Sequence, residues 1–285
     1  VFFSAFRFAE RRLQIETLFA FLKPFSLVRA FVHAAFKSRP PWGSVVPECL
    51  HVAWTRRMAG RVRLSYYLNK YLTYLPDRLN ETKWKRRCTI EGGDFLARAW
   101  QGGRPVVVAF FHIGPIHLLR PWFRGAGIPC ATFVGERSEN RLDRVRWTDP
   151  LVSHPGVPTR FHHDELKAAV KFLTAGNVLF IAVDGRWGKK IEIPFCPGWR
   201  IELATGAIRL AARYDAELVP CIIVEEGPWR FRIGAGRPVP REFLASEAEW
   251  PRAANHLLQE ALPYLFAHPE QILGPLWARF RKTTS

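Results

Sequence analysis

One histidine stands where a buried strand is predicted to end. The apolar run from Val106 to Phe111 is rich in β-branched and aromatic residues and stops at His112, which Gly114 and Pro115 follow. Open α/β sheets bind ligands at the carboxyl ends of their strands. Histidine takes up and returns a proton readily near neutral pH. His112 is therefore a candidate general base, although a lone histidine after a strand is more often a hydrogen-bonded turn residue.

Three polar loops are predicted to leave the carboxyl ends of three strands. Their candidate residues are His112 and His117 in the first loop, Glu136 and Arg137 in the second, and Asp184, Gly185, Arg186, Gly188, Lys189 and Lys190 in the third. Each loop alone is explained more simply as a solvated turn. Three such loops at one edge of a sheet would bring a base, carboxylates and cations together, which favours a functional site.

The elements that must position these residues alternate from residue 90 onwards. Helices are predicted over Asp94–Trp100, Ile116–Arg124, Asp164–Ala175 and Ala204–Tyr214, and strands over Val106–Phe111, Pro129–Val134, Val178–Val183 and Leu218–Val224. The pattern predicts an α/β fold with a mostly parallel central sheet flanked by helices. We also expect an antiparallel strand over Trp229–Ile233, a helix over Pro251–Ala267 that bends near Pro263, and Asp164 as a helix N-cap.

The N-terminal segment, residues 1–37, is predicted to form amphipathic helices. Its apolar positions are rich in phenylalanine and its polar positions are basic. Two explanations stay open, a helix packed on the core and an anchor lying in a membrane interface. Residues 38–285 would form the α/β domain, with helical structure over 45–100. No run of about 18 uncharged apolar residues and no signal-peptide layout is found, so we expect no spanning helix.

The formal charge of +17 points to an anionic partner. The chain also contains 11 Trp and 22 Phe, and this aromatic area favours an anionic membrane surface. Nucleic acid is not expected, because the basic residues are spread over the chain without a recognition motif. The five cysteines form no CxxC pair, so we expect reduced, mostly buried thiols on the cytosolic side and neither a zinc site nor a disulfide.

Several segments between about residue 90 and residue 281 carry a family resemblance. They are Ile90-Glu91-Gly92-Gly93, the strand entering His112, the segment LFIAVDGRWGKKIEIPFCPGWRIELATGAIRLA, and His268-Pro269-Glu270-Gln271 with the later Trp277–Lys282. The third segment is the most specific, with Asp184-x-x-x-Gly188, Pro-Phe, Gly198 and Ala204-Thr205-Gly206 in family order. The region resembles the lysophospholipid acyltransferase-like superfamily, and within it the bacterial lipid A lauroyl/myristoyl acyltransferase branch.

The resemblance implies transfer of a fatty acyl group from acyl carrier protein or coenzyme A to a hydroxyl. It implies a bacterial, peripheral protein on the cytoplasmic side of the inner membrane, or a cytoplasmic one, with no metal and no cofactor beyond the thioester donor. His112 would be the base, and Arg137, Lys189 and Lys190 would neutralise phosphates of donor or acceptor. Gly185, Arg186 and Gly188 would complete this binding loop.

The sequence departs from the family's first motif, which is His, four residues, then an acid. Here His117 stands five positions after His112. In the family the acid orients the imidazole, as in a Ser-His-Asp triad. His117 could take that place, or a carboxylate could reach in from Glu136 or Asp184. Five positions of a continuous helix correspond to roughly 140° of rotation, so contact with His117 needs the break that Gly114 and Pro115 supply.

Three functions remain open at this point. The first is an active acyltransferase with His112 as base. The second is an enzyme of this fold that has changed its acceptor, such as an amine or a hydroxyl in specialised metabolism. The third is a non-catalytic homologue that binds lipid or acyl carrier protein. Neither the acyl chain length nor the acceptor can be read from the sequence.

Overall fold

The computed structural model describes residues 24, 47–50, 87–125, 127–133, 160–227 and 230–283. The predicted N-terminal segment 1–37 falls outside these residues except for Pro24, and so do residues 51–86 of the helical region expected over 45–100. The division of the chain at residue 37 stays a prediction.

The described residues form strands and helices that alternate along the chain. The strands are β1 (Cys88–Glu91), β2 (Val106–Phe110), β3 (Cys130–Phe133), β4 (Arg160–Phe161), β5 (Val178–Ala182), β6 (Lys190–Cys196), β7 (Trp199–Ala204), β8 (Glu217–Gly227), β9 (Arg230–Ala235) and β10 (Phe280–Lys282). The α-helices are α1 (Gly93–Gln101), α2 (Leu119–Gly125), α3 (Leu166–Thr174), α4 (Gly206–Arg213), α5 (Trp250–Ala267) and α6 (Gly274–Trp277). Short 3₁₀ segments include Glu48–Leu50, Ile116–Leu118, His163–Glu165 and Pro269–Gln271.

A seven-stranded sheet in the order β1-β9-β8-β2-β5-β3-β4 is the centre of the described structure. Five of its six strand pairings are parallel, and β8 with β9 is the antiparallel exception. Helices flank the sheet on both faces. The predicted fold class is confirmed, and β9 is the antiparallel strand expected over Trp229–Ile233, of which Trp229 lies outside the described residues.

Strand β2 lies at the middle of the sheet and is buried along its whole length. Val107 and Ala109 belong to one apolar core, while Val106, Val108 and Phe110 belong to a second core on the opposite face. Successive residues of a strand point to opposite faces, so a strand covered on both sides needs a continuous apolar run. This explains the sequence that leads into His112.

A second sheet of three antiparallel strands, in the order β10-β7-β6, was not predicted. Strands β6 and β7 form a hairpin whose turn contains Gly198 at φ +75°. The hairpin joins the end of β5, because the backbone N–H of Ala204 donates to the carbonyl of Val183 at 2.6 Å. It thereby closes the loop that follows β5.

Three local expectations were wrong. Residues 88–91, placed in a helical region by the sequence, form strand β1, which pairs in parallel with β9. Ala204, expected to begin a helix, ends strand β7, and α4 begins at Gly206. Asp164 is not an N-cap, because His162 precedes the first turn and its backbone N–H donates to the Glu165 carboxylate at 2.8 Å.

The expectation of five reduced thiols was also wrong, because Cys49 and Cys196 form a disulfide. This bond ties the segment 47–50 to the end of β6. Beside it, the Trp199 indole donates to Glu48 at 2.6 Å, and this hydrogen bond lowers the pKa of the Glu48 carboxyl. The other three cysteines, Cys88, Cys130 and Cys221, are thiols outside any disulfide, and burial raises the pKa of Cys88 and Cys221 to about 12.

Within the described ranges, no helix has the length and apolar character that crossing a bilayer requires.

Replacing Cys196 by serine should remove the tie between residues 47–50 and the β6–β7 hairpin. We expect the free energy of unfolding of the oxidised protein to fall by about 2–5 kcal/mol. Peptide mapping without reductant should recover the linked peptides from wild type. Cys130→Ser serves as the control for loss of a buried thiol, and peptides with Cys49 unlinked in the oxidised protein would contradict the pairing.

Candidate active site

His112 and Asp184 form the centre of the candidate site. The ring Nδ1 of His112 lies 2.6 Å from Oδ1 of Asp184, and the backbone N–H of His112 donates to Oδ2 at 2.9 Å. Both carboxylate oxygens of Asp184 are thus engaged by one residue. The structure brings these two sequence candidates together.

The register of the central sheet explains this contact. Strands β2 and β5 are parallel neighbours in which Phe110 pairs with Ala182. The pairing continues past the strand ends, since the Val183 N–H donates to the Phe110 carbonyl at 3.0 Å. His112 and Asp184 each follow the last paired residue by two positions, so they lie opposite one another.

Burial differs sharply between the two side chains. Asp184 is fully buried at 0 % exposure, whereas the His112 side chain is 22 % exposed. A buried carboxylate is stable only where polar partners compensate for lost hydration, and here His112 provides them. The carboxylate favours the tautomer with the proton on Nδ1, which leaves Nε2 as a proton acceptor. Within the described residues, Nε2 has no hydrogen-bond partner.

The segment after α5 forms backbone hydrogen bonds with the loop after β2 that carries His112, which we call the histidine loop. The Leu273 N–H donates to the His112 carbonyl at 2.8 Å, and the Gly114 N–H donates to the Gln271 carbonyl at 2.9 Å. Ile113 and Ile272 form an antiparallel bridge between these two bonds. The loop that carries the candidate base is therefore fixed by backbone pairing to a segment distant in sequence.

Gln271 connects this support to strand β8. Its amide nitrogen donates to the Glu225 carbonyl at 2.6 Å, and its amide oxygen accepts from the Glu225 N–H at 2.8 Å. The side chain is almost completely buried. It occupies the place that a neighbouring strand would take on this part of β8. Sequence analysis did not assign it a role, although His268-Pro269-Glu270-Gln271 was the signal that marked it.

Gly114 is the close-packed point of the histidine loop. Its φ is +62°, and a Cβ built there would lie 2.1 Å from the Ile223 carbonyl oxygen. A side chain is excluded both by backbone conformation and by space. The glycine lets the loop turn directly over the edge of β8.

The third loop runs from Asp184 to β6. Gly185 is half-buried, whereas Arg186 and Gly188 are exposed and Lys190 begins β6. The loop's end is held because the Lys189 carbonyl accepts from both the backbone N–H and the hydroxyl of Thr205. All these candidates therefore stand at the sheet edge that carries His112.

Lys189 is committed to another contact. Its ammonium lies 2.9 Å from the Glu247 carboxylate, and this hydrogen bond and charge lower the pKa of Glu247. An exposed ion pair of this type is weak. The expected phosphate-neutralising role of Lys189 would require that pair to open.

The remaining candidates lie outside what the structure describes. Glu136 and Arg137 fall in the gap between 133 and 160. The backbone of His117 belongs to the 3₁₀ segment Ile116–Leu118, but its side chain is not described.

A family model matches residues 73–256, more than half of the chain, and its description is bacterial lipid A biosynthesis acyltransferase. The match includes both His112 and Asp184. The chain belongs to this family. The sequence-based recognition is thus confirmed, and the protein is an acyltransferase.

Family membership carries a general consequence for the substrate, since an acyltransferase of this family takes its acyl group from a thioester donor. No curated protein matches the chain. The matched region ends within α5, so Gln271 lies beyond it.

Replacing Gln271 by alanine should leave two backbone groups of Glu225 without their buried side-chain partner. We expect the free energy of unfolding to fall by about 1–3 kcal/mol for each orphaned group. Gln271→Glu should also destabilise, because a carboxylate accepts from the Glu225 N–H but does not donate to the carbonyl. Urea unfolding measures both effects. Gln259→Ala, an exposed glutamine on α5, is the control, and equal stability of Gln271→Ala and wild type would refute the bridging role.

Proposed function

We propose that the protein transfers a fatty acyl group from a thioester of acyl carrier protein or coenzyme A to a hydroxyl acceptor at a membrane surface, with His112 as the general base. The contact between His112 and Asp184 is the observation that carries this proposal. It gives the imidazole a partner on Nδ1 and leaves Nε2 at the partly open side of the site.

The reaction follows from this arrangement. Nε2 of His112 removes the proton of the acceptor hydroxyl while the hydroxyl oxygen attacks the thioester carbonyl carbon. The carbonyl oxygen takes the negative charge of a tetrahedral intermediate, which backbone N–H groups stabilise. Collapse of the intermediate breaks the carbon–sulfur bond, and the thiolate receives the proton from the imidazolium. The products are an ester and a free thiol.

Asp184 has two tasks in this scheme. It holds the ring in the tautomer that accepts a proton on Nε2, and its negative charge stabilises the imidazolium formed during attack. Both tasks belong to the acid of the family's first motif, whose position is occupied by His117 here. Because Asp184 engages Nδ1, the sequence departure does not deprive His112 of a carboxylate. This favours catalysis over the non-catalytic alternative.

The basic residues of the site suit an anionic donor. Arg186 and Lys190 stand in or beside the loop after Asp184, and among the described residues neither side chain forms an ion pair. We assign them, with Arg137, to phosphates of the donor or acceptor, and Lys189 to the same task once released from Glu247. A carrier protein is acidic and coenzyme A is phosphorylated, so the +17 charge suits either. A changed acceptor, such as an amine, would use the same base.

His112→Ala should abolish transfer, and Asp184→Asn should lower kcat by about 10⁴ while the fold is kept. Acyl carrier protein and coenzyme A thioesters of several chain lengths would be supplied with a lipid and small-molecule extract, and products read by mass spectrometry. The control is His256→Ala on α5, which should keep wild-type turnover. Circular dichroism would confirm folding. Near-normal turnover by His112→Ala would exclude it as the base.

His117→Asp restores the acid of the family's first motif and gives a separate test. We expect no rise in activity, because Nδ1 of His112 already has Asp184 as its partner. The double variant Asp184→Asn with His117→Asp is compared with Asp184→Asn alone. A difference in kcat measures whether a carboxylate at position 117 can replace that of Asp184. A clear rise in kcat for His117→Asp alone would show that the orienting acid belongs at position 117.

A further inference from the structure

We propose that Trp187, His163 and Leu166 form an insertion patch that enters the interface of an anionic bilayer beside the candidate active site. Trp187 lies in the loop after β5, and His163 and Leu166 lie where the chain after β4 enters the 3₁₀ turn and α3, at the same edge of the central sheet. We call them the insertion patch from here on. The binding itself needs no catalysis, but its purpose of bringing lipid to His112 rests on the proposed function.

Trp187 is the core of the insertion patch. Its side chain is 58 % exposed to solvent. Indole is among the side chains that most favour a membrane interface. The ring stacks on that of His163, with centroids 6.0 Å apart and planes 8° from parallel. Stacking holds the indole in a defined orientation outside the protein. An ordered, exposed tryptophan is suited to insertion because little conformational entropy remains to be lost.

Leu166 extends the apolar surface. It follows His163 by three positions where the 3₁₀ turn His163–Glu165 continues into α3, so the two residues share a face. Leu166 is 47 % exposed. Of the three large apolar side chains that stand exposed in the described ranges, two are therefore Trp187 and Leu166; the third is Phe266. Their proximity on one edge distinguishes them from scattered surface residues.

The topology places the insertion patch beside the site. Trp187 follows the buried Asp184 by three positions, and His163 follows the end of β4 by two. Strands β4, β3, β5 and β2 are successive parallel neighbours, so both loops emerge at the edge that carries His112. The loop of Trp187 is fixed at both ends, by Asp184 and by the bond from Thr205 to Lys189.

Cations border the insertion patch. Arg186 precedes Trp187, and Lys167 lies one helical turn beyond His163; both are exposed, and neither pairs with a described carboxylate. Basic side chains near an anionic bilayer add to its attraction for apolar groups. Asp164 and Glu165 lie in the same turn, and Glu165 is engaged with the backbone N–H of His162. Cations alone would suit an acidic protein partner equally well. The exposed indole and leucine beside them favour a lipid interface instead.

Brominated lipid quenching tests this directly in the whole protein. Vesicles of phosphatidylglycerol with brominated phosphatidylcholine are added to wild type and to Trp187→Phe, and tryptophan emission is compared. We expect quenching in wild type that Trp187→Phe lacks. In flotation assays, Trp187→Ala with Leu166→Ala should bind anionic vesicles about tenfold more weakly. Phe266→Ala, the exposed aromatic on α5, is the matched control and should bind like wild type.

Equal quenching of wild type and Trp187→Phe would overturn the insertion patch, even if the protein binds vesicles through another segment. The insertion patch is also refuted if the double variant loses affinity for an acidic acyl carrier protein but binds anionic vesicles like wild type. Vesicle binding is measured without donor. Insertion of Trp187 in a protein that transfers no acyl group would therefore uphold this inference and reject the proposed function.

Discussion

The pairing of β2 with β5 is the constraint on which the candidate site depends. Parallel strands in register bring residues at equal distances past their ends into contact, and this is how His112 meets Asp184. A slip of one residue would turn every side chain of β2 to the opposite face and break both apolar cores. The free energy that fixes the register is hydrophobic burial. The sheet therefore sets the distance between His112 and Asp184 more firmly than a flexible loop would.

Support for the site comes from parts of the chain that are far apart in sequence. Strand β8 supplies the carbonyl against which Gly114 packs, and the segment after α5 supplies the backbone bonds to His112 and Gly114. Gln271 joins the two supports through Glu225. The buried Asp184 is thereby met by an imidazole with little freedom to move. Such preorganisation matters for proton transfer, because the geometry is present before the substrate binds.

Much of the fold follows from local pattern, whereas the site's central contact does not. The buried run of β2 and the helix–strand alternation predict a mostly parallel sheet, since continuous apolar runs of strand length and helical periods of 3.6 residues are visible in the sequence. Strand order is not visible. Strand β5 lies beside β2 although β3 and β4 come between them in the chain. Asp184 could therefore be named among three alternatives but not chosen. The Cys49–Cys196 disulfide was missed for the same reason, because a pairing across 147 residues leaves no trace in the local pattern. The β6–β7 hairpin was not predicted, although β7 alternates apolar and charged residues as a strand with one exposed face does.

The carboxylate beside His112 comes from Asp184 and not from the position of the family's first-motif acid, which His117 occupies. A motif acid five positions after the histidine depends on the turn between them, whereas Asp184 depends on strand pairing. Either arrangement presents a carboxylate to Nδ1, which fixes the tautomer and leaves Nε2 to accept a proton. Asp184 also stands at the start of the loop that carries Arg186 and Trp187. Cations, an exposed indole and the orienting carboxylate then belong to one short segment, held at both ends.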